Sequence, residues 1–197
     1  IYSLKKSTLD KLTFSLYTQI NLDNSKQTFT ADITMANAKI NITKGSRDTD
    51  TNTTSAFYVI DVKDLTPFEK LLGYKYHGPF YARGEATYHK HFKVQGLSKT
   101  FGGMLDFVYE KDQLDIDLDS VSFKQFMSLF PFQVMIDGDT TGKINYDFIN
   151  KRMTVNTKLK NAKFLHSDVV SNIYKKADVN MLLEEFDDST LEASYQN

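Results

Sequence analysis

Apolar and polar residues alternate with a period of two along most of the chain, the pattern of strands with one face in a core and one toward water. Leu12, Phe14, Leu16 and Ile20 alternate with Thr13, Ser15, Tyr17 and Gln19. A polar turn at Asp23, Asn24, Ser25 and Lys26 follows, and Phe29, Ala31, Ile33 and Met35 resume the alternation, which predicts a hairpin. Ile40 and Ile42 continue the apolar set. Residues 44–54 are then all polar or glycine and lack periodicity, so they predict an exposed, mobile loop that the fold can do without. Further strands are expected over 57–62, 80–88, 92–96, 104–109, 114–118, 134–136, 142–148 and 153–159, with turns at 110–113 and 150–151.

Three segments carry helical signals instead. Residues 66–72 place Thr66 as N-cap and Pro67 in the first turn, 122–130 begin with Ser122, and 167–177 space Val169, Val170, Ile173, Tyr174 and Ala177 along one face. The tail beyond them has no clear period.

Parts of the pattern recur. Ile60-Asp61-Val62 and the helical segment after it lie over Ile116-Asp117-Leu118 and its helix, with one residue missing at Pro67. Gly84-Glu85-Ala86-Thr87-Tyr88 lies over Gly142-Lys143-Ile144-Asn145-Tyr146, and Met35-Ala36-Asn37-Ala38-Lys39-Ile40 echoes Leu159-Lys160-Asn161-Ala162-Lys163-Phe164. The unit is strand, short helix, Gly-x-x-x-Tyr strand, turn, strand, with copies near 57–96 and 114–159. The fold class expected is mainly β with short helices: repeated strand-helix-strand-strand units forming a curved, antiparallel-rich sheet, as a groove or a sandwich.

That unit, with its Asp between apolar residues, its Phe-containing helix and its Asn-Ala-Lys, resembles the repeat of the AsmA-like proteins of Gram-negative bacteria. The resemblance spans about residues 56–166 and implies a periplasmic β-sheet body anchored to the inner membrane, linked to lipid transport and outer-membrane assembly. Residues 1–197 are then a single β-rich segment of a longer protein. Ile1 in place of Met fits an excised segment, with the membrane anchor outside it.

A sheet with an apolar face must cover it with a second sheet, with helices, or with something other than protein. Three short helices are too few for this many strands. Either the alternating residues close into an ordinary core, or part of the face stays open and holds acyl chains. In the open case Phe14, Leu16, Ile33, Ile116, Leu118, Ile144 and Val155 line the groove.

Composition narrows the partners. With 24 Lys+Arg against 25 Asp+Glu and 41% hydrophobic residues, the chain can bury a core but has no cationic surplus for phosphates, so nucleic acid is not expected. No Cys is present, which removes disulfides, thiolate metal sites and cysteine nucleophiles. No apolar run is long enough for a membrane helix.

Candidate chemistry is thin. Asp115, Asp117 and Asp119 mimic the start of a calcium loop, but Ser120 stands where that loop needs Gly and Phe126 where it needs Glu, so a solvated strand face is expected. Asp137-Gly138-Asp139 reads as a strand end or bulge. His89 and His91 flank Lys90 with a spacing that can serve a metal but no recognisable partner, and an exposed turn is expected; His166 precedes a helix cap. The Phe and Tyr rings, 13% of residues, sit at alternating positions that favour packing over sugar stacking. Glycine loops for phosphate, nucleophile elbows and metalloprotease motifs are missing, so no cofactor and no enzymatic activity are expected. The expected function is handling of lipid or other hydrophobic ligands at the cell envelope, other envelope proteins being possible partners. The competing class is a structural or adhesive β-module that binds protein.

Overall fold

The computed structural model describes residues 14–196 apart from positions 24, 132 and 179, and the chain falls into two compact units, 1–97 and 98–197. Leu12, Thr13 and Asn24 of the first expected hairpin lie outside the described residues. Both units are mainly β, with antiparallel strands paired in sequence order and a few short helices.

In the first unit β1 (Phe14–Asp23), β2 (Lys26–Met35), β3 (Ala38–Asp48), β4 (Thr53–Val62), β5 (Phe80–Tyr88) and β6 (Phe92–Ser98) form a meander. Burial follows the sequence period: along β2 the odd-numbered residues from Gln27 to Met35 are the more buried and the even-numbered ones are exposed. Between β4 and β5 the chain makes a 3-10 turn (Thr66–Phe68) and the helix α1 (Glu69–Leu72). Thr66 does not cap this segment. The Asp64 carboxylate accepts from the Thr66 N–H (3.1 Å), the Thr66 hydroxyl (2.9 Å) and the Gly78 N–H (3.2 Å), fastening both ends of the crossover. It sets Phe68 against Ala38 and Val62, with Met35, Ile60, Leu65 and Phe80 around them.

Residues 44–54 are not a loop. β3 continues to Asp48 and β4 begins at Thr53, so only 49–52 turn. The periodicity is lost because a bulge at Lys44-Gly45 adds one residue to β3. Thr43 faces Phe57, the next paired residue is Ser46 facing Ser55, and Lys44 has φ +49°. Gly45 is required there, since a Cβ would enter the Phe29 ring. Polar side chains join this arm as well: Ser46 and Ser55 hydroxyls are 3.1 Å apart, and Asp48 accepts from the Asp50 and Thr51 N–H groups.

In the second unit β7 (Met104–Glu110), β8 (Gln113–Ser122), β9 (Ile136–Asp147), β10 (Arg152–Phe164) and β11 (Glu185–Gln196) pair in order. β11 resolves the tail that had no clear period. Strand β9 starts at Ile136, so Val134 lies before it. Helix α2 (Phe123–Met127), capped by Ser122 through the Gln125 N–H, links β8 to β9; helix α3 (Asp168–Ala177), capped by Ser167 through the Val170 N–H, and a 3-10 turn (Met181–Leu183) link β10 to β11. Bulges at Ser120 (φ +53°) and Asn161 (φ +52°) shift the registers of β8 and β10.

Stretches 57–96 and 114–159 share the order strand, short helix, strand, strand. Their registers differ. Ile60 faces Ala82, whereas Ile116 faces Ile144; Thr140, the residue overlaid on Ala82, stands opposite Val121 beyond the bulge.

Candidate functional site

Directly paired residues of neighbouring strands share a face, so the registers assemble the apolar side of each unit row by row. In the first unit Leu16, Ile33, Ile40, Ile60 and Ala82 form one row across β1–β5, flanked by Phe14, Met35, Ala38, Val62 and Phe80. In the second, Phe107, Ile116, Ile144, Val155 and Ala193 form a row across β7–β11. On one side of it lies Leu105, Leu118, Gly142, Thr157 and Leu191, and on the other Tyr109, Leu114, Tyr146, Met153 and Tyr195.

The sequence-derived residues therefore fall into two groups. Phe14, Leu16 and Ile33 belong to the first face; the Phe14 side chain is outside the described atoms. Ile116, Ile144 and Val155 are contiguous on the second face and half-buried, while Leu118 is 4% exposed and packed by protein. Sequence reasoning left out Ile40, Ile42, Ile60, Phe107, Tyr146 and Met153 as lining residues, although the same alternation marks them. It also missed β11, where Leu191, Ala193 and Tyr195 carry the alternation in an otherwise acidic stretch.

Among the described residues the helices and crossovers cover one end of each face. In the first unit Phe68 and Leu65 cover the row of Ala38 and Val62. In the second, Phe101, Leu105, Leu118, Val121, Leu129, Leu159, Ala162 and Val170 are buried where α2 packs on β8 and β9 and the second crossover meets β10. Away from these ends the faces are half-buried and barest on β1, where Leu16, Ile20 and Leu22 are 56%, 63% and 74% exposed. At the tight turns of the second unit Phe148 packs edge-on against Tyr146 (4.6 Å) and Tyr109 (5.7 Å), and Ile149 projects into solvent.

Opposite faces are polar and self-satisfied. Asn145 donates to Asp115 (2.5 Å), Lys143 pairs with Asp117 (3.2 Å), and Asn41 donates to Asp32. Asp115, Asp117 and Asp119 are all exposed on that side. Asp137-Gly138-Asp139 lies opposite the β10 bulge. His89 occupies the turn before β6, its Nδ1 3.2 Å from the Thr53 hydroxyl. Among the described residues no group of three or more His, Asp or Glu side chains is placed to hold a metal.

Among ionisable groups, burial pushes the Tyr58 phenol up to about 12; its hydroxyl crosses β5 at Gly84 to donate to the Gln95 carbonyl (3.1 Å). The Asp64 carboxyl is held below its ordinary value chiefly by the Thr66 N–H, and Asp147 chiefly by the Asn150 N–H. Asp64 ties down the first crossover, Asp147 the turn that carries Phe148 and Ile149, and Tyr58 the backbone of β6. No protein-family model matches the chain, and neither a curated protein nor a solved structure matches it.

Proposed function

We propose that the protein is a non-enzymatic binder of lipids or other hydrophobic ligands, which lie along the uncovered apolar faces of its sheets. The observation that carries this reading is the exposure of Leu16, Ile20 and Leu22 on a strand paired with β2 along its whole length. Burying three such side chains is worth on the order of 5 kcal/mol, a gain that folding leaves unused and an apolar occupant would collect. Such binding would depend on area and little on chemical detail. The resemblance to AsmA-like proteins supports a setting in the periplasm, with anchoring to the inner membrane through a segment outside these residues and a part in outer-membrane assembly.

A fluorescent fatty acid tests it. Wild type should take up the probe, and Leu16→Asp, at a position already more than half exposed, should keep the circular dichroism spectrum and lose much of the uptake in the first unit. Leu118→Asp should instead unfold the second unit, because it buries an unpaired carboxylate. A folded wild type that takes up no acyl probe would sink the proposal.

A second reading, the structural or adhesive β-module, is favoured by β1. Among the described residues this ten-residue strand pairs only with β2, and it carries no charge before Asp23. Uncharged edges of that length invite another strand. If this reading holds, light scattering should show concentration-dependent association that Gln19→Lys abolishes.

A further inference from the structure

Strand β1 stands at the end of the strand order, and its described side chains, Ser15 to Asp23, are all exposed. Among the described residues only half of its backbone groups are used. Two residues separate Asp23 from Lys26, and in so tight a hairpin the closing pair exchanges both backbone hydrogen bonds. Pairs of that kind recur at every second residue, so Asp23, Asn21, Gln19, Tyr17 and Ser15 spend their N–H and C=O groups on β2. The next turn agrees: Met35 closes on Ala38 across two residues, which gives the odd-numbered residues of β2 to β3 and leaves its even-numbered ones for β1. Leu22, Ile20, Thr18, Leu16 and Phe14 therefore turn their N–H and C=O groups outward.

The residues of this edge say what fits. From Phe14 to Leu22 it carries no charge, so nothing on it repels an incoming strand. Strand β11, at the other end of the order, is guarded: it carries Glu185, Asp187, Asp188 and Glu192 and no base, so a copy laid against it sets acid near acid. The outward residues of β1 are evenly placed about Thr18. Laid antiparallel on the β1 of a second copy, Leu16 falls opposite Ile20, Phe14 opposite Leu22 and Thr18 opposite Thr18. The other face matches as well, Tyr17 meeting Gln19 and Ser15 meeting Asn21. Within one chain Gln19 already donates to the Tyr17 hydroxyl (2.9 Å). Asp23 lies beyond the matched stretch. Shifting the second copy by two residues either way sets Thr18 against an apolar residue and shortens the ladder.

We infer that β1 is a homodimerisation edge: two copies of the chain pair antiparallel through their outward groups, about a two-fold axis at Thr18. Such pairing is isologous, so it closes at two copies. It sets Leu16 and Ile20 of both copies side by side on one face, so the apolar faces of two first units adjoin. The pairing rests on the reading of β1 as a strand-accepting edge; it adds the partner and the register, and it needs no acyl ligand.

Sedimentation and amide hydrogen exchange of the intact wild-type chain test it first. As concentration rises and the dimer forms, the amides of Leu16, Thr18, Ile20 and Leu22 should slow, whereas those of Tyr17, Gln19 and Asn21, bonded to β2, should be slow at every concentration. Charge at the axis then tests the register. Thr18 is exposed, so Thr18→Lys and Thr18→Glu should each keep the circular dichroism spectrum. Each alone should weaken dimerisation about fivefold, because like charges then stand opposite one another. An equimolar mixture of the two should dimerise at least as well as wild type, since only this register sets position 18 against itself. Association of wild type without that rescue, or growth into open-ended oligomers, overturns the two-fold register while the strand-accepting edge stands. A monomer at all concentrations overturns both, whether the four amides exchange fast or are held by another part of the same chain. Association that leaves the four amides fast does the same. The exchange pattern needs no variant, so a Thr18 substitution that fails to fold does not rescue the inference.

Discussion

At the scale of single residues, the informative groups are the polar ones set into apolar surroundings. Thr140 and Thr157 are each 2% exposed on the apolar face of the second unit, and neither hydroxyl has a hydrogen-bond partner within the protein. An unmet buried hydroxyl costs more than the methyl that would replace it. Thr157→Val should therefore stabilise the protein by about 1 kcal/mol in urea unfolding, and Thr140→Val likewise. Thr141 is the contrast, because its hydroxyl accepts from the Ser120 N–H at the bulge (3.1 Å), so Thr141→Val should destabilise. Tyr58 gives a pH signature. Its folded value of about 12 lies above the ordinary 10, so the folded state holds the proton more tightly. The stability this confers is complete below pH 10 and is lost as pH rises from 10 toward 12. Tyr58→Phe should flatten that alkaline fall, measured as the difference in unfolding midpoint between pH 9 and pH 11.5, at a cost of about 1 kcal/mol near neutrality for the lost bond to Gln95.

Elements show how far a period-two pattern carries. Where alternation ran unbroken, as in β2, strand and inward face were both legible, because one buried face fixes which residues are apolar. The pattern failed at bulges. One extra residue at Lys44 inverts the faces, and the polar Ser and Thr side chains beyond it lie in a ladder that sequence read as a loop. Asp64 escaped notice for a similar reason: its role depends on Gly78 being brought back beside it by the crossover. The apolar candidates were legible as a set, while their division into two faces and the burial of Leu118 depended on register and on what the helices cover. The β3–β4 arm makes the difference testable. Replacing the turn 49–52 by Asn-Gly should be tolerated, whereas deleting 44–54 removes paired backbone from both strands and should unfold the first unit. Gly45→Val should destabilise by several kcal/mol, since its side chain must displace the Phe29 ring. Thermal unfolding of the three variants separates a ladder from a loop.

For the molecule as a whole, two units each carry an apolar face covered at one end. In the first the cover is a crossover fastened by Asp64, and in the second it is α2 with the α3 crossover. Since the uncovered parts are built from different strands, acyl binding at one does not require the residues of the other. Leu16→Asp should accordingly lower the amount of fatty-acid probe bound per chain without altering probe-induced amide shifts at Ile116 and Val155. Val155→Asp, at a half-buried position of the second face, should do the reverse, lowering uptake there and leaving shifts at Ile33 and Ile40 intact. The Asp64 carboxylate adds a further handle on the first class alone. Its folded value is depressed, so its hold on the crossover is present above the ordinary carboxyl range near 3.8 and is lost as pH falls through the lower folded value. Asp64→Ala, which leaves no acceptor, should produce that loss at neutral pH. It frees the Thr66 and Gly78 N–H groups, loosens Phe68 over Ala38 and Val62, and speeds amide exchange there. Exchange in β8–β10 should stay at the wild-type rate. Equal acceleration in both units would show that the two covers are coupled, and that the faces must be treated as one site.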